Sequence, residues 1–346
     1  MRILHIFDKD CFGLYARTIS ELVTALFEYR KIHVDQAAYA MHGADDHGLG
    51  RIIQFEYWRP SVWRGGMLAS RACARFAPDA VIKWGIGARR LDPGGDFIQL
   101  SFIGAPGEIR GVAKSDYVVA NSESILAHAK SHGFSGAKSF LLPPFAHEYR
   151  GAPEVTKRNL FIPEKSRVAY IAGTFLKGIG FEQALEAVAS VPNIYFAISG
   201  GGRDEEAITD YMARVNVRSR ARISREPERA LGLLKISDIA LLPMAESPVV
   251  KNMIEAARAR RPIITTANPY SADFADGTNS ISVPFGDANL LRQAMKRALE
   301  ADDLDAMITR AGKTAGQFEE QGAVSGFLSN LALLIDKYRT RRNLMA

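Results

Sequence analysis

Val168-Ala169-Tyr170-Ile171-Ala172-Gly173-Thr174-Phe175-Leu176-Lys177-Gly178-Ile179-Gly180 decides how the chain is read. A short apolar run, 168–172, ends in glycine, as a buried strand entering a turn does. Residues 181–190 follow with helical period. A second apolar run, 194–199, leads into Gly200-Gly201-Gly202 and a helix from Asp204. Strand, turn, helix and strand in this order make the unit of a parallel sheet with helices on its faces. Downstream, helical period at 227–235, a strand at 238–242, a helix at 249–259 and strands at 263–265 and 281–283 continue the pattern. Helical segments at 289–300, 304–318 and 323–338 close it.

Upstream the alternation is the same. Strands are expected at 2–7, 32–39, 52–55, 80–83, 97–102, 117–120 and 139–142. Helices are expected at 17–29, at 67–76, and from a cap at Asn121 or Ser122 through 131, because a short polar side chain accepts from the free N–H groups of a first turn. Pro143-Pro144 stops regular structure, and 146–165 is polar with Pro153 and Pro163, so it reads as a linker. The 346 residues thus divide into a Rossmann-like α/β domain at 1–145, the linker, a second such domain at 166–322, and a last helix in 323–346.

Composition narrows the class. The chain is 47% hydrophobic and 24% charged, which is globular and not disordered. No uncharged apolar run of about 18 residues is present to span a membrane. The start, Met1-Arg2-Ile3-Leu4-His5-Ile6-Phe7-Asp8, is charged too early for a signal peptide, and Cys11 and Cys73 make no disulfide framework. A cytoplasmic protein is expected. The net charge of +6 suits an anionic ligand or surface. Arg51, Arg59, Arg64, Arg71, Arg75, Lys83, Arg89 and Arg90 share one stretch with Tyr57, Trp58, Trp63 and Trp84. That stretch fits an anionic lipid or the inner face of a membrane, and it fits equally a core containing Trp84 and Phe76 under solvated arginines. No nucleic-acid motif accompanies it, so nucleic acid is not expected as a partner.

Ligands of parallel α/β sheets sit beyond the carboxyl ends of the strands. The richest such loop is Ala245-Glu246-Ser247-Pro248-Val249-Val250-Lys251-Asn252-Met253-Ile254-Glu255. Ser247 as N-cap and Pro248 as first helical residue would open a helix whose free N–H groups, near Val249 and Val250, suit a diphosphate. Glu246 and Glu255 could accept from sugar or ribose hydroxyls. The same residues also fit an ordinary capped helix with solvated acids and a Lys251–Glu255 pair one turn apart. In 173–180, glycines permit close approach of a ligand and Lys177 offers a point charge to phosphate, or both belong to a plain turn. Gly201 lies in a glycine-rich stretch that lacks dinucleotide spacing, and it reads as a nucleoside wall or a loop. Asp302-Asp303-Leu304-Asp305 starts a helix, where acids favour the dipole. His128 and His132 lack a third ligand, so no metal site is expected.

Taken together these segments resemble the GT-B glycosyltransferases, and within them the large retaining group called family 4. The resemblance rests on 117–122, on Ala172-Gly173 with Lys177-Gly178, on 194–202, on 237–243, on 255–266 and on Gly277-Thr278-Asn279 with Val283-Pro284. It implies two domains facing a central cleft, with the last helix crossing back to the first domain. It implies a transferase that moves a sugar, with retention and without a metal, from a UDP- or GDP-linked donor to a glycan or lipid-linked acceptor in bacterial surface polysaccharide or glycolipid synthesis. Lys177 would bind the donor diphosphate and Glu246 would face the donor sugar. Glu255 would hold the ribose, and Gly13, in the first loop, would lie near the reacting phosphate. Gly173, Thr174, Gly201, Ser247, Val249 and Val250 would complete the donor site, with no cofactor beyond the nucleotide-sugar. The chain departs from the pattern at four places. Glu246 and Glu255 are separated by eight residues, one more than the family has; Thr174 replaces an arginine; Lys83-Trp84-Gly85 stands where a histidine is common; Pro144-Phe145 replaces Asn-Gly. Without that histidine, a non-catalytic sugar-nucleotide-binding subunit or regulator is the alternative.

Overall fold

The computed structural model describes the chain except for residues 9–10, 41–48, 58–64, 113, 150, 203, 245–249, 269–270, 273, 302 and 345–346. It divides into two compact units, Met1–Pro144 with Glu320–Ala346, and Phe145–Glu319.

The first unit holds β1 (Arg2–Phe7), α1 (Cys11–Glu28), β2 (Asp35–Ala40), β3 (Gln54–Tyr57), α2 (Gly65–Phe76), β4 (Ala80–Trp84), α3 (Gly85–Arg89), β5 (Ile98–Ile103), β6 (Tyr117–Ala120), α4 (Glu123–Ser131) and β7 (Ser139–Leu141). Its strands form a parallel sheet in the order β3-β2-β1-β4-β5-β6-β7. Central strands covered on both faces need near-continuous apolar runs, and β1 is buried from Ile3 onward. His5 lies within that run. Trp84 Nε1 donates to its Nδ1 (3.2 Å), its Nε2 lies 3.2 Å from Gln36 Oε1, and burial pushes its pKa down to about 4. Ser122 caps α4 by accepting from the Ile125 N–H (3.3 Å).

The second unit holds β8 (Arg167–Thr174), α5 (Phe181–Ala189), β9 (Ile194–Gly201), α6 (Glu205–Arg214), β10 (Ala221–Ser224), α7 (Ala230–Lys235), β11 (Ile239–Leu242), α8 (Val250–Arg258), β12 (Ile263–Thr266), β13 (Ile281–Val283), α9 (Ala288–Glu300) and α10 (Asp305–Ala315). Its sheet is also parallel, ordered β10-β9-β8-β11-β12-β13. Arg258, ending α8, donates to the carbonyls of Ala146 (3.0 Å) and Phe318 (3.2 Å), close to where the chain enters and leaves this unit.

The last helix, α11 (Glu320–Asn343), belongs to the first unit. Val324, Phe327, Leu328, Leu331, Leu334 and Ile335 recur at helical spacing and are buried. Each such side chain contributes about 1.5–3 kcal/mol of gross burial energy. The basic end of α11 is pinned: Arg339 pairs with Asp79, Arg342 with Asp96, and the Tyr338 hydroxyl donates to the Gly95 carbonyl (3.4 Å). No helix among the described residues is long and apolar enough to cross a membrane.

Three sequence expectations need correction. Segment 146–165 is not a free linker: Ala146, Val155 and Ile162 are buried in the core of the second unit, and Val155 packs so closely on Gly232 that a Cβ there would lie 2.6 Å away. Strand β10 has no counterpart in the sequence reading, because its Ala-Arg-Ile-Ser edge is only partly buried and shows no apolar run. Helix α1 starts at Cys11 and not at 17, so Gly13 is helical and not in a loop. One glycine costs a helix only about 1 kcal/mol, and the buried Ile19, Leu22, Val23 and Leu26 anchor the rest.

Candidate functional site

Strand order reverses direction between β8 and β11, and such a switch point opens a crevice beyond the strand ends. The segments leaving β8, β9 and β11 meet there. Gly173 and Thr174 pair with Gly200 and Gly201, so these residues extend β8 and β9 where a loop was expected. The cause is the missing side chain: a Cβ on Gly200 would lie 2.0 Å from the Gly173 carbonyl oxygen. Gly180 has φ 127°, and its Cβ would lie 1.4 Å from the Pro243 carbonyl oxygen, which seats the β8–α5 connection directly on the end of β11. The Phe175 N–H donates to the Gly201 carbonyl (3.0 Å) and the Asp204 N–H to the Phe175 carbonyl (3.0 Å). Thr266 Oγ1 (2.7 Å) and Asn268 Nδ2 (3.2 Å) donate to the Met244 carbonyl. The carboxyl ends of β8, β9, β11 and β12 are therefore one bonded framework.

Lys177 rides on that framework with an exposed side chain. Its N–H donates to Asp204 Oδ2 (2.9 Å), and the Gly178 N–H donates to Glu182 Oε1 (3.0 Å). Two carboxylates thus occupy these amides, and of this pair of residues only the exposed Lys177 ammonium carries a charge that an anion could meet. Asp204 escaped the sequence reading, which took it only as a helix start.

Helix α8 leaves the switch point with Val250 as its first residue, buried. Glu255 is 4% exposed, so it is not a solvated acid; Lys251 Nζ lies 2.9 Å from its Oε1. Glu246, Ser247 and Val249 lie outside the described residues.

In the first unit the switch point falls between β1 and β4. Asp8, at the end of β1, is buried and accepts from the Gly87 N–H in α3 (2.6 Å). The basic stretch is split by burial. Trp84 is fully buried with its ring 4.5 Å from Phe102. Lys83 is buried too: its Nζ donates to the Leu91 carbonyl (3.2 Å), Gln99 Oε1 (3.0 Å) and the Lys114 carbonyl (2.7 Å), and burial lowers its pKa to about 8. Arg89 is fully buried, donating to the carbonyls of Phe102 (2.6 Å) and Glu108 (3.1 Å) and pairing with the Glu108 carboxylate (3.2 Å). These three cannot face an acceptor. Arg51, Tyr57, Arg71, Arg75 and Arg90 are exposed, while Trp58, Arg59, Trp63 and Arg64 lie outside the described residues.

His128 is half-buried and His132 exposed, and His132 Nδ1 lies 2.9 Å from the His128 carbonyl. Asp302 is outside the described residues, and Asp305 opens α10. Among the described residues no group of three or more His, Cys, Asp or Glu is placed to hold a metal ion.

Residues 152–315 match the family described as Glycosyl transferases group 1. The lipopolysaccharide core biosynthesis glycosyltransferase LpsE of Rhizobium meliloti (strain 1021) is 24% identical over 345 residues, covering 96% of this chain and 99% of its own length. Among solved structures, sucrose-phosphate synthase of Thermosynechococcus elongatus superposes with a TM-score of 0.75 at 15% identity, covering 97% of this chain and all of the other. HepE of Anabaena, solved in complex with UDP-glucose, gives 0.74 at 12% identity, with 96% and 99% covered. Two parallel α/β units, a group 1 domain in the second and a last helix returned to the first make this chain a glycosyltransferase of the GT-B fold.

Proposed function

We propose that the second unit holds a UDP-sugar and that the sugar passes to a saccharide of the lipopolysaccharide core met by the first unit. The observation that carries this reading is the framework at the ends of β8, β9 and β11, with Lys177 exposed upon it. The LpsE likeness favours the core saccharide as acceptor, and the HepE complex favours UDP.

In this reading the bond between sugar C1 and the diphosphate oxygen breaks, and the acceptor hydroxyl oxygen takes C1 as its proton leaves toward the departing diphosphate. Charge grows on that diphosphate. A fixed cation and helix-end N–H groups stabilise it most where they need no reorganisation. Lys177 is the cation, and the first turn of α8 at Val250 supplies the N–H groups. Glu255 accepts from the ribose hydroxyls, Glu246 faces the sugar, and Gly13 lies near the reacting phosphate. The charge is met by these groups, so no metal is invoked, and the anomeric configuration is retained as in the group the sequence resembles. A lipid-linked acceptor would bring the exposed Arg51, Tyr57, Arg71, Arg75 and Arg90 of the first unit toward an anionic membrane face.

A thermal-shift series with UDP, GDP, ADP and CMP tests the donor site, because a ligand preferring the folded state raises its apparent stability. UDP is expected to stabilise selectively. Transfer from UDP-sugars to truncated lipopolysaccharide core, with the product anomer read by NMR and with and without EDTA, tests the rest. Stabilisation by none of the nucleotides overturns the donor assignment.

A further inference from the structure

The Lys251–Glu255 pair is the feature that stability explains least. Both side chains are almost out of solvent, 13% and 5% exposed, with Nζ and Oε1 2.9 Å apart. Removing two charges from water costs more than such a pair commonly returns, and apolar residues of like volume serve a fold as well or better. Neighbouring positions of α8 are apolar and buried: Val250, Met253, Ile254, Ala256 and Ala257. An ion pair kept in that setting is better explained by what it orients.

We infer that Lys251 is a positioning residue for the donor: its ammonium holds the Glu255 carboxylate in one rotamer, ready to accept from the vicinal ribose hydroxyls. The inference rests on the donor-site reading above. An ionised carboxylate is acceptor-only, which matches a ligand edge made of two O–H donors. Holding its orientation before the ligand arrives removes that ordering cost from binding. Lys251 acts through Glu255 and touches neither the phosphates nor the sugar.

The test is calorimetric binding of UDP and of 2′,3′-dideoxyuridine diphosphate, which lacks the hydroxyls. In the wild type, UDP should bind more tightly than the dideoxy compound. Glu255→Gln and Lys251→Met should each weaken UDP by about tenfold or more, as loss of a charge-assisted hydrogen bond does. Each should change the dideoxy compound by roughly twofold at most, and Lys251→Arg should restore most of the UDP affinity. If Lys251→Met fails to fold, Lys251→Gln with Glu255→Gln leaves no buried charge. That double variant should lose no more UDP affinity than Glu255→Gln alone, since residues acting as one unit are not additive. Equal weakening of both ligands by Lys251→Met, an additive double variant, or unchanged UDP binding overturns the inference. A wild type that does not distinguish the two ligands overturns the donor-site reading itself.

Discussion

The two units share a plan and differ at the switch point. In the first unit the described groups there answer one another. Asp8 is engaged by the Gly87 N–H, and Arg89 by Glu108 and two carbonyls, both out of solvent. In the second unit glycines at 173, 200 and 201 thin the ends of β8 and β9, and the cation Lys177 on the connection leaving β8 faces solvent. Parallel topology builds the crevice in both; side-chain chemistry decides whether the protein fills it or leaves charge for a ligand.

The comparison breaks most visibly at Gly180. Alanine there meets Pro243 and a left-handed backbone together, and should destabilise the second unit by about 4 kcal/mol or more. Alanine at Gly178, with φ 77° but open space, should cost about 1 kcal/mol. Urea titrations of the two variants read the difference. In the first unit, Arg89→Met takes the guanidinium from the buried Glu108 carboxylate and should cost about 3–5 kcal/mol, part of it regained with Glu108→Gln added, whose carboxamide oxygen still accepts from the Gly104 and Ala105 N–H groups. Neither change should alter UDP affinity; a shift in Kd would end the division of labour drawn here.

A third effect depends on pH. His5 has its pKa lowered by burial from 6.5 to about 4, so between those values the unfolded chain binds more protons than the folded one. Stability is therefore full above about pH 6.5 and falls toward pH 4, by on the order of 3 kcal/mol. Denaturation midpoints at pH 7 and 4.5 should show it, and His5→Gln should flatten the slope. The smallest change is at Lys177. Its alanine variant should weaken UDP binding by about tenfold, against no measurable change for the exposed Lys165→Ala. Equal effects at the two lysines would remove the diphosphate from this loop.

Alternation of apolar runs with helical period made both sheets legible, since doubly covered parallel strands cannot hide their hydrophobicity. The ends of β8 and β9 were less so: glycine signals a turn and a close strand approach with the same letter. Segment 146–165 looked polar because its buried anchors, Val155 and Ile162, stand far apart. Lys83 and Arg89 read as surface cations, and Trp84 fitted surface and core alike, because sequence does not show two carbonyls and a carboxamide converging on one ammonium, or a glutamate waiting for a guanidinium. Lys251 was visible as one turn from Glu255, but its burial was not.

The clasp made by Arg258 has a consequence for how this polypeptide is manufactured. The second unit begins and ends at one guanidinium, so its stretch of chain is self-closing and behaves as a guest inserted into a host. On the ribosome the guest can finish as soon as residue 319 has emerged. The host cannot, because its β-strands are made first and their covering helix α11 last. The nascent first unit must wait through the whole synthesis of its guest with the surface meant for Phe327, Leu328 and Leu331 uncovered, and an apolar surface left open in this way is prone to aggregation.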